Sequence, residues 1–144
     1  MAADELKAMA RRYIEEVWNK GNLALIDELF APDYINHSPN AGQMAGPEGL
    51  KQLIATFRKA SPDLHFTIDD MLAEGDRVVT RWTARGTHQG ELMGIPPTNK
   101  RITVTAIVID RIVDGRFVEH WAGRDDLGMY QQLGLIPALE PMPR

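Results

Sequence analysis

The stretch RITVTAIVIDRIVDGRFVEHWA, residues 101–122, decides the fold. Ile102, Val104, Ala106, Val108 and Asp110 alternate with Thr103, Thr105, Ile107 and Ile109, the period of two that gives a strand two distinct faces. Asp114-Gly115 is a hairpin signal, because both residue types tolerate the positive φ of a tight turn. A long strand from Arg101 to Val113 therefore folds back into a second, from Arg116 to Ala122. Upstream, Glu74-Gly75-Asp76 reads as a turn between two further strands. One carries Leu64, Phe66 and Ile68 against His65, Thr67 and Asp69, and the other runs from Arg77 to Thr87. The second half of the chain is thus a meander of at least four strands.

The first half follows the helical period. Leu6, Met9, Ala10, Tyr13, Ile14, Val17 and Trp18 mark one face of a helix over residues 4–19, with Asp4 and Glu5 at its positive end. Gly21 closes it, and Asn22 opens a shorter helix with Leu23, Ile26, Leu29 and Phe30 inward, ending before Pro32. Residues 31–46 carry too many Pro, Asn and Gly for regular structure, except for a short strand or pocket lip at Tyr34-Ile35-Asn36-His37. Pro47 starts a third helix, with Leu50, Leu53, Ile54 and Phe57 as its stripe, and Ser61-Pro62 ends it. A last helical turn spans Leu127 to Leu133, stopped by Gly134, and Pro137, Pro141 and Pro143 mark residues 137–144 as an irregular tail. Three helices followed by long antiparallel strands make an α+β domain spanning residues 1–144, its curved sheet wrapped round the helices as an open cone.

Composition narrows the function classes. The chain has 144 residues, 44% hydrophobic and 25% charged, which suits one folded domain. A net charge of −4 without any basic stripe argues against nucleic acid. The absence of cysteine removes disulfides, thiolate nucleophiles and thiolate metal sites. His37, His65, His88 and His120 show no metal-binding spacing, no nucleophile elbow is present, and no metal is expected. No apolar run approaches the roughly 18 residues of a membrane span, and the acidic start is unlike a signal peptide, so a cytoplasmic address is expected.

Glu119-His120-Trp121-Ala122-Gly123-Arg124-Asp125-Asp126-Leu127-Gly128 carries the chemistry. Alternation counted from Phe117 puts Glu119, Trp121, Gly123 and Asp125 on one face, and His120, Ala122 and Arg124 on the other. A carboxylate beside an aromatic wall is desolvated, which raises its affinity for a proton and makes it a usable base.

Taken together the chain resembles the SnoaL-like polyketide cyclases, or ester cyclases, of the NTF2-like, ketosteroid-isomerase-like superfamily. The resemblance rests on Tyr13, Val17, Trp18 and Asn19-Lys20-Gly21-Asn22, then on Leu29-Phe30-Ala31-Pro32-Asp33-Tyr34-Ile35-Asn36-His37 and Gly46-Pro47-Glu48-Gly49. It continues through Arg81-Trp82-Thr83-Ala84-Arg85-Gly86-Thr87-His88, Gly90-Glu91, Gly94-Ile95-Pro96-Pro97-Thr98 and Asp114-Gly115-Arg116. It closes on Glu119-His120-Trp121, Asp125-Asp126-Leu127-Gly128 and Gln132-Leu133-Gly134. It implies a cone with a deep apolar pocket and intramolecular aldol ring closure on a small apolar carbonyl compound, with neither metal nor cofactor. The acid/base it implies is the aspartate four residues after the tryptophan, Asp125, with Asp126 as the neighbouring alternative. The characterised cyclases carry a histidine in the strand that here runs from Arg101 to Val113, and this chain has none there.

Asp125 is accordingly expected as catalytic residue, with N-capping of the last helix as the competing role of either aspartate. Tyr13, Trp18, Tyr34, His37, Phe57, Trp82, His88, Asp110 and Trp121 are expected to contact substrate. The bland alternatives are plain core packing for the aromatics, exposure for His37, and an arginine ion pair for Asp110. His120 is expected to pair with carboxylates on the outer face, and Arg85, Arg101 and Arg124 to serve that face as well. Two rival functions stand beside the cyclase: a non-catalytic small-molecule-binding module, and epoxide hydrolysis by an Asp-Arg-Asp set. Ile107 and Ile109 face outward on the alternation, so a homodimer packed sheet to sheet is expected.

Overall fold

The computed structural model describes residues 1–137. The expected tail therefore lies almost wholly outside the described residues. Helix α1 (Ala3–Arg12) continues as a π-helical segment (Tyr13–Asn19) and is followed by α2 (Leu25–Leu29), strand β1 (Phe30–Asn36) and α3 (Gly46–Ala60). The strands β2 (His65–Glu74), β3 (Arg77–Thr87), β4 (Arg101–Val113) and β5 (Arg116–Arg124) come next, and α4 (Asp126–Leu133) ends the regular structure. The five strands form one sheet in the order β1-β5-β4-β3-β2, antiparallel throughout except for the β1–β5 pair. This is the α+β architecture that the sequence implies. None of the described helices is long and apolar enough to cross a membrane.

Three elements differ from the sequence reading, the first being α2, which begins at Leu25 after Ala24 and is not capped by Asn22. The helix over residues 4–19 widens from α to π at Tyr13, so its last turns follow i→i+5 bonding where the apolar period suggested one continuous α-helix. The widening places Trp18 against Tyr13, and the indole Nε1–H donates to the Tyr13 hydroxyl at 2.9 Å. Strand β1 is longer than the short strand expected around Tyr34. Pro32 is tolerated because β1 is the edge of the sheet, and the pairing with β5 breaks its register between Phe30 and Ile35.

The sheet's concave face closes over the helices. Leu6, Ala10, Val17, Ile26, Leu50 and Ile54 from the helices pack with Val78, Ile112 and Phe117 from the strands. Phe117 stacks on Phe30 with ring centroids 4.7 Å apart, and Tyr13 meets both rings. Fully burying side chains of this size stabilises by about 1.5–3 kcal/mol each.

Two side-chain amides then fix the helices to the sheet by imitating a strand. Asn19 Oδ1 accepts from the Phe66 N–H at 2.7 Å, while Asn19 Nδ2 donates to the Phe66 carbonyl at 3.0 Å. Gln132 treats Thr103 in the same way, with both bonds at 2.8 Å. Thr103 lies beyond Ala106, the last β4 residue that pairs with β5, so Gln132 supplies the ladder bonds that β5 no longer offers. Arg58 of α3 completes the anchoring by donating to the Trp18 and Asn19 carbonyls at 2.6 and 3.0 Å. Gly21, at φ +78°, lies beneath that guanidinium, where any Cβ would meet Arg58 Nε at 2.8 Å.

On the convex face Arg111 joins Asp76 at 2.8 Å to Glu119 at 2.9 Å, and Glu119 also bonds His37 at 2.8 Å. His37 lowers the proton affinity of Glu119 most and Arg111 next, while Arg111 does the same for Asp76.

Substituting Asn19→Ala strands a half-buried N–H and C=O of Phe66, and is expected to cost about 1–3 kcal/mol in thermal unfolding. Gln132→Ala, at a more exposed site, is expected to cost less than half of that. Because Glu119 and Asp76 release their protons more readily when folded, their contribution is present above the ordinary carboxylate range. It is lost as pH falls below about 4. Arg111→Gln is therefore expected to flatten the acid limb of a Tm-versus-pH curve, and an unchanged limb would contradict this origin.

Candidate active site

A cavity of about 150 Å³ lies between the helices and the concave face of the sheet. Its wall is largely apolar: Ile14, Trp18 and Phe57 from the helices, and Phe66, Trp82, Ile102, Val104 and Val108 from the sheet. Inward residues from Ile102 to Asp110 contribute along β4, a contour of roughly 26 Å at the usual rise per residue. So small a volume distributed along such a length makes a narrow slot.

Tyr13, Trp18, Tyr34, Phe57, Trp82, His88 and Asp110 line this slot. His37 and Trp121 do not. They stack on each other at 4.8 Å and 10° on the convex face, with the Arg77 guanidinium 5.8 Å from the Trp121 ring. The reason is a bulge. Ile112 pairs with Phe117 but Arg111 pairs with Glu119, so Val118 is an extra residue in β5. One extra residue moves every later side chain to the opposite face. Phe117 points into the core, and beyond the bulge His120, Ala122 and Arg124 line the slot while Trp121 faces out.

Asp125 and Asp126 are exchanged by the same shift. Asp125 is exposed, lies outside the slot lining, and caps α4 by accepting the Gly128 N–H at 2.9 Å. Asp126 lines the slot and meets Arg124 Nε at 3.4 Å. The pocket placement expected for Asp125 is thus corrected. Arg124 is also not an outer-face residue, since its guanidinium donates to the Ser38 carbonyl at 2.7 Å beside the slot.

The buried polar centre of the slot is a pair that alternation had separated. Asp110, only 5% exposed, accepts from His120 Nδ1 at 2.7 Å, and the two residues are direct cross-strand partners. A carboxylate accepts, so Nδ1 carries a proton, and in the neutral imidazole Nε2 keeps its lone pair. The arginine ion pair expected for Asp110 is therefore replaced by an imidazole. Burial pushes the Tyr13 and Tyr34 phenols up, the nearby Asp110 charge adding to the effect, so both remain neutral donors. Arg124 and Asp126 share the slot with Asp110, which restores two ingredients of an Asp-Arg-Asp set. Yet Arg124 pairs with Ala106, four residues along β4 from Asp110, or roughly 13 Å of strand. Arg124 is bonded to the Ser38 carbonyl and to Asp126, while Asp110 is bonded to His120. Among the described residues, no group of three or more His, Asp or Glu is arranged to hold a metal ion.

Sequence reasoning placed His120 and Arg124 on the wrong face and passed over Asn36 and Asn40, which also line the slot. The bulge at Val118 has no glycine to announce it. The one available signal was Asp110, a carboxylate on an apolar inward face that required a partner.

Comparison with known proteins agrees with this geometry. The family described as SnoaL-like polyketide cyclase matches residues 8–133. The aklanonic acid methyl ester cyclase of Streptomyces peucetius is 30% identical over 141 residues, covering 94% of this chain and 91% of that protein. The nogalonic acid methyl ester cyclase of Streptomyces nogalater is 32% identical over 122 residues, covering 81% and 89%. Among solved structures, TsrD from Streptomyces laurentii superposes with a TM-score of 0.84 at 32% identity, covering 94% of this chain and 99% of that one. A SnoaL-like polyketide cyclase from Agrobacterium tumefaciens shares the fold at a TM-score of 0.72 and 16% identity, covering 90% and 98%. With this match along nearly its whole length, and the NTF2-like cone around an apolar slot, the chain belongs to the SnoaL-like polyketide cyclase family.

Proposed function

We propose that this protein is an acid/base ring-closing enzyme for a slender, apolar polycarbonyl compound, and that His120, oriented by Asp110, is its base. The buried Asp110–His120 pair in an apolar wall is the observation that carries the reading. Nε2 takes a proton from a methylene flanked by carbonyls, and the C–H electron pair passes into an enolate. The enolate carbon attacks a second carbonyl of the same molecule, a C–C bond forms, and that carbonyl becomes an alkoxide. The imidazolium returns its proton to the alkoxide, so the reaction balances with protons alone. Asp110 stays ionised and stabilises the transient charge on His120. The neutral Tyr13 and Tyr34 phenols are the available donors for the developing oxyanion at this end of the slot. The cyclases named above make the methyl esters of aklanonic and nogalonic acid the first substrates to try.

Asp125, the acid/base that the family resemblance implies, is assigned here to capping α4, and variants separate the two assignments. His120→Gln and Asp110→Asn are expected to lower kcat by about 10²- to 10⁴-fold at unchanged fold, as loss of a general base and of its orienting carboxylate does. Asp125→Asn is expected to leave kcat within a few-fold and to cost about 0.5–2 kcal/mol of stability as a lost cap. Full activity in the first two with loss in the third would move the base to Asp125. Binding of the esters without turnover by the unmodified protein would favour a binding module.

The protein is further read as a homodimer through its convex face. Leu72, Val79, Ile109 and Trp121 are successive cross-strand partners and form one apolar row over four strands. Leu72 is 64% exposed and the adjacent Ile107 55%. Removing that area from water stabilises association. Light scattering at micromolar concentration is expected to give twice the chain mass, and Ile107→Lys to give the monomer. A monomeric unmodified protein would refute the dimer.

A further inference from the structure

We infer that His88 is a fixed hydrogen-bond donor for a distal oxygen of the substrate, at the end of the slot remote from Asp110 and His120. This rests on the slot being the substrate site, but not on which residue is the base. His88 lines the slot and is 2% exposed. Its Nδ1 accepts from the Thr98 backbone N–H at 3.3 Å and lies 3.0 Å from the Thr98 hydroxyl. A backbone N–H can only donate, so Nδ1 carries no proton and the hydroxyl must donate to it as well. Thr98 Oγ1 is itself held by the Lys100 N–H at 3.3 Å, which completes a chain of donors ending on Nδ1. The backbone on either side is pinned too, since His88 and Lys100 bond at 2.9 Å and Asn99 donates to the His88 carbonyl at 2.9 Å.

The consequence is a single tautomer. With Nδ1 fixed as acceptor, neutral His88 has its proton on Nε2, the edge of the ring turned away from Thr98. Among the described residues that atom is buried and meets no hydrogen-bond partner. Phe57, Ala60, Leu92, Ile102 and Met129 make this end largely apolar, and the Ser61 hydroxyl of the same lining is already committed to Asp63. A buried N–H left unpaired is disfavoured, and a ligand oxygen that reaches it recovers the lost bond. A neutral donor selects a carbonyl, ether or hydroxyl oxygen over an apolar group, without drawing in a full negative charge.

Position decides the role. Thr87, the neighbour of His88, pairs with Arg101, nine residues along β4 from Asp110. Nine residues of strand span roughly 30 Å along the chain, so one small ring cannot touch His88 and His120 together. His88 is therefore a specificity-determining residue that sets the register of a long substrate in the slot.

The test uses the full-length protein and two compact bicyclic probes that differ by one oxygen, 1-indanone and indane. Long-range ¹H–¹⁵N spectra of the unmodified protein are expected to show His88 as the Nε2–H tautomer, and its N–H proton to shift with 1-indanone but not with indane. Binding of 1-indanone is expected to be about tenfold tighter than that of indane, the worth of one neutral hydrogen bond. The preference is expected to vanish in H88F, to persist in H88Q, whose amide nitrogen replaces Nε2, and to persist in H120Q. An Nδ1–H tautomer, equal affinity for the two probes, or a preference that survives in H88F would overturn the assignment. Persistence in H120Q keeps it separate from the choice of base.

Discussion

A buried charge needs a partner, and the site is arranged around that requirement at Asp110. The carboxylate lies on the inward face of a central strand, between Val108 and Ile112, and is only 5% exposed. Leaving it unpaired would be strongly destabilising, because the interior offers little to replace hydration. The β4–β5 register meets the requirement by placing His120 directly opposite. That register holds only because Val118 bulges out of β5, so a local irregularity in one strand assembles the polar centre of the slot. The same bulge turns Trp121 and Glu119 outward, where His37, Arg77 and Arg111 receive them. One extra residue thus sets both faces of β5: the Asp110–His120 pair inside the slot and the Trp121–His37 stack outside.

The rest of the fold holds that arrangement in place. Helix widening at Tyr13 seats Trp18 on its phenol, and Asn19 and Gln132 fasten the flanking helices to strand backbone. These contacts hold the helices that form one wall of the slot against the strands that form the other. The apolar wall around the polar pair lowers the local dielectric, which strengthens the interaction between imidazole and carboxylate.

Much of this was legible in the sequence, and the failures have one kind of cause. Alternation in residues 101–113 and the Asp114-Gly115 turn fixed strands, faces and hairpin correctly, because those features are local and periodic. The wall residues Tyr13, Trp18, Tyr34, Trp82 and His88 were legible from their place in the family pattern, and Phe57 from the apolar stripe of its helix. The bulge was not, since Val118 is an ordinary strand residue and its displacement is decided by what β4 presents to it. Every misplacement in β5, from His120 through Trp121 and Arg124 to the exchange of Asp125 and Asp126, follows from that single residue. The π turn was hidden for a similar reason: Tyr13 and Trp18 fit an α-helical stripe as well as a π-helical one. His88 stood out by its position beside the glycine-rich loop, but its tautomer depends on Thr98, ten residues away and visible only once the loop has folded back.

The most direct measurement of the central claim is a crystal structure with a non-cyclising substrate analogue in the slot, for example one whose electrophilic carbonyl is replaced by a methylene. The acidic methylene carbon is expected within about 3.5 Å of His120 Nε2, the separation that proton transfer and ring closure require, with Asp110 still bonded to Nδ1. The same carbon lying against the Asp125 carboxylate, with His120 turned away from it, would contradict the account.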